Sequence, residues 1–90
     1  MTLVEIYSSP GCHLCEEAKE LLSRVRETQP FELREVLVIE GDRAFEQYRE
    51  RVPVIFINRE FAFQYRIPER EFIARLERSA GDEMPEEPSP

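Results

Sequence analysis

Two cysteines three residues apart, Cys12 and Cys15, are the residues whose type and spacing favour a specific chemistry. They stand in the run Cys12-His13-Leu14-Cys15, directly after a Pro-Gly turn. Residues three apart at the start of a helix lie on one face, roughly 5–6 Å from one another, which is close to the Cα separation of a disulfide. The spacing therefore predicts a pair that closes and opens without refolding the rest of the chain.

The expected position of Cys12, at a helix N-terminus, favours a thiolate. Unpaired backbone N–H groups and the helix dipole stabilise an anion there, and the pKa of a Cys-x-x-Cys thiol can fall from about 8.5 to between roughly 3.5 and 7.5. We expect Cys12 to be the exposed nucleophile and Cys15 the resolving thiol. His13 either tunes Cys12 or occupies a solvated first-turn position, and the residues leave both readings open.

Other uses of two cysteines have requirements that this sequence meets poorly. A closed zinc site needs four ligands, whereas the one histidine lies between the cysteines and no second cysteine pair exists. A haem attachment motif needs His directly after the second Cys, where this chain has Glu16. Two buried structural thiols are disfavoured because the Pro10-Gly11 turn indicates an exposed junction. No metal ligand set is predicted.

The elements that position the pair follow from hydrophobic spacing. Residues 2–7 alternate and predict a strand. Ser9 followed by Pro10 predicts an N-cap and a first-turn proline, opening a helix that ends near Glu27. Its predicted buried face consists of apolar residues at helical spacing, namely Leu14, Ala18, Leu21, Leu22 and Val25.

The second half of the chain alternates between strand and helix patterns. A strand is predicted over 31–38, followed by a short helix that Asp42 caps and in which Phe45 and Tyr48 face inward. A buried strand over 54–57, a tight turn at Asn58-Arg59 and a partner strand over 60–66 come next. The last predicted element is a helix from Pro68 to about Arg78, buried through Phe72, Ile73 and Leu76. The order βαβαββα implies parallel pairing of helix-linked strands and an antiparallel hairpin at the edge. With a Cys-x-x-Cys after the first strand, it indicates an α/β, thioredoxin-like sheet.

Length and charge limit the function classes. Ninety residues allow one domain, and the net charge of −7 disfavours a general binder of nucleic acid or anionic membranes. The first residues carry an early acid and no basic segment, so we expect no secretory signal and a cytoplasmic protein. Residues 80–90 hold four acids, three prolines and no base. We therefore expect a domain over 1–79 and a tail over 80–90 that is acidic, Pro-rich and disordered.

Together these residues resemble the glutaredoxin-like branch of the thioredoxin superfamily. The resemblance rests on the run from Tyr7 to Cys15 and on Val52-Pro53-Val54 before a hairpin, and it covers about residues 2–78. It implies a thioredoxin-like fold with a four-stranded mixed sheet and flanking helices. It also implies that Pro53 is cis beside Cys12, and that the Val52 backbone pairs with the substrate's extended chain. From the residues alone we expect a trans bond, because only about 5–6% of X–Pro bonds are cis.

The sequence departs from both main branches of that superfamily. Glutathione-using glutaredoxins usually have Lys or Arg before the Pro-Gly-Cys turn, where this chain has Ser9. They also carry a Gly-Gly turn and an acid after the hairpin. Here the segment from Tyr65 to Pro68 replaces the glycines, and Glu69 is a candidate for the acid. Thioredoxins have an Asp on the first strand, where this chain has Ile6, and a Trp, which it lacks.

The favoured function is a thiol–disulfide oxidoreductase with catalytic Cys12 and Cys15 and substrate-binding Val52 and Pro53. Its expected partners are a disulfide-containing protein or glutathione and an unidentified reductase. Glutathione is the candidate co-substrate, and we expect no tightly bound cofactor, no nucleic acid or membrane partner, and a monomer. One alternative is a glutathione-dependent iron–sulfur module that bridges a dimer through Cys12. Another is a redox-inert interaction domain on the same fold.

Overall fold

The computed structural model describes residues 1–41 and 43–81, and within them the side chains of all but residues 43–45, 80 and 81. Its element order is βαβαββα, as predicted. None of the helices in the described residues is long and apolar enough to cross a membrane. The elements are β1 (Leu3–Ser8), α1 (His13–Arg26), β2 (Glu32–Leu37), α2 (Arg43–Tyr48), β3 (Val54–Ile57), β4 (Glu60–Gln64) and α3 (Glu69–Gly81).

The four strands form one mixed sheet in the order β2-β1-β3-β4. β1 and β2 are parallel, with Val4 opposite Leu33, as expected for strands linked by a helix. The same expectation is wrong for β3, which runs antiparallel to β1 with Tyr7 opposite Val54. Helix length explains the difference. The 14 residues of α1 carry the chain back along about 21 Å, whereas the six of α2 span only about 9 Å. β3 therefore starts at the end of the sheet where β2 finished.

The main core lies between one face of the sheet and the helices α1 and α3. Both helices turn apolar side chains at helical spacing towards strand residues that are buried on that face. Phe72 of α3 meets Phe31 edge-on, with 5.9 Å between ring centroids. The fully packed members of this cluster are Val4, Ile6, Ala18, Leu21, Leu22, Val25, Phe31, Ile55, Ile57, Phe72 and Leu76.

Most predicted boundaries are confirmed within two residues, and the differences have local causes. The hairpin turn is confirmed, because Asn58 and Arg59 have φ values of 51° and 73°, the left-handed pair that a tight type I′ turn requires. β4 ends at Gln64 instead of Arg66, since Tyr65 has a φ of 67° and turns the chain. Asp42, the side chain of Phe45 and residues 82–90 lie outside the described residues, so the expected cap, the inward phenylalanine and the tail stay predictions.

Candidate active site

The loop between β1 and α1 places the cysteines at a helix start, although not in the predicted way. The N–H of Cys12 donates to the carbonyl of Ser9 at 3.3 Å, and Gly11 has a φ of +75°. Proline followed by a left-handed glycine is the pattern of a type II turn. The expectation that Ser9 caps the helix and Pro10 opens it is therefore wrong. The left-handed φ of Gly11 is incompatible with a right-handed helix, so the helix begins only after this turn. Cys12 itself is the N-cap.

The two cysteines form a disulfide and differ in exposure. Their Cα atoms are 5.2 Å apart, in agreement with the separation expected from the spacing. Cys12 is half-buried, whereas only 1% of Cys15 is exposed. The backbone N–H of Cys15 donates to the sulfur of Cys12 at 3.1 Å. A substrate sulfur can therefore approach Cys12, while Cys15 lies beneath it within bonding reach.

A small apolar cluster, separate from the main core, surrounds the pair. It consists of buried Cys15, Val38 and Val52, with Tyr7, Cys12 and Tyr48 packed against them, and we call it the site cluster. The rings of Tyr7 and Tyr48 are 4.9 Å apart. Burial, followed by the nearby Glu5 carboxylate, raises the pKa of Tyr7 above its ordinary value, so its hydroxyl is neutral at physiological pH. The cluster fixes Cys15 in an apolar setting.

The structure brings Val52 to the cysteine pair, and Pro53 follows it in the chain. Val52 packs in the site cluster, and the Val52–Pro53 bond is cis. The trans expectation drawn from the residues alone is wrong, and the cis bond implied by the resemblance is confirmed. The carbonyl of Pro53 accepts from the N–H of Tyr65 at 2.9 Å. Within residues 1–41 and 43–81, the backbone N–H and C=O of Val52 have no backbone partner, so this edge presents an unused donor and acceptor.

Comparison with known proteins identifies the family of this chain. The glutaredoxin-like domain family (DUF836) matches residues 3–77. The chain belongs to that family. It is 29% identical over 80 residues to "Glutaredoxin-like protein YDR286C homolog" from Dictyostelium discoideum, a match that covers 82% of this chain and 74% of the relative.

Solved structures show the same fold as this glutaredoxin-like chain. The solution structure of protein Ne2328 from Nitrosomonas europaea has a TM-score of 0.70 and 26% identity, covering 82% of this chain and 89% of that one. Protein XcR50 from X. campestris has a TM-score of 0.68 and 26% identity, covering 83% and 96%. Glutaredoxin 1 from Francisella tularensis, solved with cacodylate, has a TM-score of 0.56 at 22% identity, covering 90% and 99%, and supports the fold alone.

A polar network that the sequence did not predict joins β1, β2 and α1. The hydroxyl of Ser8, which is 1% exposed, donates to the Glu35 carboxylate at 2.9 Å. Lys19 donates to the same oxygen at 3.1 Å. The hydrogen bond from Lys19, then that from Ser8, lowers the pKa of Glu35 below its ordinary value, and the bond to Glu35 raises the pKa of Lys19. One feature of the sequence could have indicated this network: the single lysine of the chain, Lys19, lies one helical turn after Cys15.

The side chains of His13 and Glu69 both lie next to charged groups of this chain, which disfavours a direct role for either at the cysteine pair. The imidazole of His13 is 90% exposed and lies 3.6 Å from the Glu17 carboxylate, which favours the solvated first-turn reading. Glu69 pairs with Arg24 of α1 at 3.0 Å. Its carboxylate is therefore already engaged by a cation of this chain.

The donor set of one chain does not fit an iron–sulfur cluster. A [2Fe–2S] cluster takes four cysteine thiolates, whereas the two sulfurs of this chain are joined in one disulfide. No group of three or more His, Cys, Asp or Glu side chains in the described part of the chain could hold a metal ion. A cluster shared between two chains stays a prediction.

Proposed function

We propose that this glutaredoxin-like protein is a dithiol–disulfide oxidoreductase in which Cys12 attacks and Cys15 resolves. The observation that carries the proposal is the disulfide between an accessible N-cap sulfur and a buried sulfur one turn further along. The family membership and the fold support thiol–disulfide redox chemistry at this pair. The separate roles of Cys12 and Cys15 and the identity of the partners are part of our proposal.

The reaction proceeds in two exchanges that conserve sulfur and electrons. The Cys12 thiolate attacks one sulfur of a substrate disulfide, and the other substrate sulfur leaves as a thiolate that takes a proton from water. The Cys15 thiol then loses its proton to solvent, and its thiolate attacks Cys12 and releases the second substrate sulfur. The substrate gains two electrons and becomes two thiols, while the protein loses two electrons and closes the bond between Cys12 and Cys15.

The unused backbone edge at Val52 supports a mode of substrate binding. An extended peptide that pairs with the Val52 N–H and C=O would add a local strand beside the cysteines, and main-chain hydrogen bonds of this type give affinity without demanding a particular sequence. Because Val52 packs in the site cluster with both cysteines, a peptide held there would carry its own sulfur to Cys12.

The proposed partners are a disulfide-containing protein or glutathione as substrate and a reductase that returns the two electrons. We propose that the protein works as a monomer in the cytoplasm and needs no tightly bound cofactor. A redox titration tests the function. The protein is equilibrated in dithiothreitol buffers of decreasing redox potential, and its free thiols are counted. The thiol count should rise from zero to two in one two-electron transition, and Cys15→Ser should lose it. A protein that shows no two-thiol transition in any buffer would contradict the proposal.

A further inference from the structure

Arg51, the residue directly before Val52, is held from two sides. Its guanidinium carbon lies 5.9 Å from the ring centroid of Tyr48, the last residue of α2. Its Nε donates at 3.2 Å to the side-chain oxygen of Gln64, the last residue of β4. The backbone N–H of Arg51 also donates to the carbonyl of Tyr48 at 2.8 Å. We call these three contacts the Arg51 brace, and they connect the end of α2 with the end of β4.

The Arg51 brace adjoins a residue whose own backbone is unpaired. The Val52 side chain is buried in the site cluster, but its N–H and C=O form no backbone hydrogen bond with the part of the chain that the structure describes. On the other side, the carbonyl of Pro53 accepts from the N–H of Tyr65 at 2.9 Å. Because the N–H of Val52 lies in the same peptide plane as the Arg51 carbonyl, its direction depends on how Arg51 is held.

A fixed edge favours the binding of an extended peptide. A loop that becomes ordered only when a partner binds lowers the affinity, because the ordering cost is subtracted from the binding free energy, whereas an edge that is already held avoids that cost. The exchange at Cys12 depends on other contacts, namely its N-cap position and the N–H of Cys15, which lies 3.1 Å from its sulfur. Loss of the brace should therefore weaken peptide binding and leave the sulfur chemistry intact.

A different role for Arg51 would be direct contact with the substrate, because its side chain is exposed and accessible to an acidic group. One ring-facing surface and the Nε of its guanidinium are, however, already engaged by Tyr48 and Gln64. The two roles also differ in what they require. Direct contact requires Arg51 alone, whereas the brace requires the amide of Gln64 as well, so Gln64 discriminates between them.

We infer that Arg51 is a positioning residue for substrate binding: its contacts with Tyr48 and Gln64 hold the Val52 edge in place for an extended peptide before that peptide arrives. The inference rests on the proposed function. It adds to that function a dependence on Gln64, a residue of the last strand that acts through Arg51 and not by touching the substrate.

Two disulfides test the inference: a dimer of a short peptide joined by one disulfide, and bis(2-hydroxyethyl) disulfide, which has no peptide backbone. Reduced protein is mixed with an excess of either at several concentrations, quenched in acid and analysed for released thiol. Arg51→Ala and Gln64→Ala should each raise the half-saturating peptide concentration about two- to tenfold, as one lost hydrogen bond would, and keep the limiting rate. Both variants should reduce bis(2-hydroxyethyl) disulfide as fast as the wild type.

A double variant and matched controls separate positioning from other roles. The double variant should bind the peptide no more weakly than Arg51→Ala, since both changes break the same contact. Gln47→Ala and Arg70→Ala remove the same types of side chain at exposed positions outside the brace, and they should behave as the wild type does. An unchanged half-saturating peptide concentration in Gln64→Ala would overturn the inference, as would an equal loss with the small disulfide or in the controls.

A measurement without substrate separates failure of the inference from failure of the proposed function. If the wild type reduces neither disulfide, the proposed function fails, and the brace is judged by NMR relaxation. The order parameter of the Val52 amide, which reports fast backbone motion, should be lower in Arg51→Ala and Gln64→Ala than in the wild type and the two controls. An order parameter that is the same in all five proteins would overturn the inference.

Discussion

The backbone N–H of Cys15 points at the sulfur of Cys12, 3.1 Å away. When the disulfide opens, the same N–H group and the helix N-terminus stabilise a thiolate on Cys12. We therefore expect the alkylation of reduced protein by iodoacetamide to titrate with a midpoint below the ordinary thiol pKa of about 8.5. Cys15→Ser keeps that N–H, so the midpoint should stay low in that variant. A midpoint at or above the ordinary value would contradict this account.

His13 offers a second test of what sets that midpoint. Because its imidazole is 90% exposed and faces Glu17, solvent screens its effect on the neighbouring sulfur. His13→Ala should therefore move the midpoint by less than about half a pH unit, measured by the same alkylation. A shift of a full unit or more would show that His13, and not the helix start, controls the thiolate.

The unequal exposure of the cysteines predicts different outcomes for their serine variants. Cys15→Ser should retain the first exchange and accumulate a mixed disulfide on Cys12, visible by mass spectrometry as protein plus one substrate chain. Cys12→Ser should react only at the uncatalysed rate, because the remaining thiol is 1% exposed. A mixed disulfide that forms more readily on Cys15 in Cys12→Ser would reverse the proposed roles.

Glu35 should stabilise the fold through the buried hydroxyl of Ser8. Glu35→Ala leaves that hydroxyl without its acceptor, a change that typically costs about 1–3 kcal/mol. Glu35→Gln keeps an acceptor oxygen and should lose less. Urea unfolding at neutral pH measures both, with Glu32→Gln, an exposed acid on the same strand, as the control. Equal stability of Glu35→Ala and the wild type would show that the contact contributes nothing.

The lowered pKa of Glu35 also gives a pH dependence of definite sign. A carboxyl whose pKa is depressed on folding contributes stability that is fully present above its unfolded pKa, about 4.3, and is lost as pH falls through the folded value. The difference in unfolding free energy between wild type and Glu35→Gln should therefore shrink as the pH is lowered below the unfolded pKa and through the lowered pKa of the folded state. A difference that stays constant to low pH would rule out an ionised Glu35 as its source.

Local patterns predicted the elements and the cysteine pair. They failed at one local turn, and they failed where contacts between elements decide the outcome. Ser9-Pro10 has the composition of a helix start, but the left-handed Gly11 that follows turns the chain first. The direction of β3 depends on where a short helix leaves the chain, which periodicity does not encode. Ser8, Lys19 and Glu35 are far apart in sequence, so their contact is set by the pairing of β1 with β2 and by the packing of α1.

Truncation of a buried and of an exposed phenylalanine should lower the stability of the fold by different amounts. Phe72 is fully buried against Phe31 and Phe63, so Phe72→Ala should lower the free energy of unfolding by about 3–5 kcal/mol. Phe61 is 49% exposed and contacts the Phe56 ring at 6.2 Å, so Phe61→Ala should lose under about 1.5 kcal/mol. Denaturant melts compare the two, and a similar loss in both would contradict the assigned core.

Strand addition at Val52 can be tested without changing the protein. In an antiparallel pair one residue exchanges two backbone hydrogen bonds with its partner, while the N–H of the next residue points away. N-methylation of the peptide residue opposite Val52 should therefore raise KM about two- to tenfold, the effect of one lost hydrogen bond. N-methylation of the adjacent residue is the matched control and should have little effect. Equal effects at both positions would mean that the substrate does not pair with this edge as a strand.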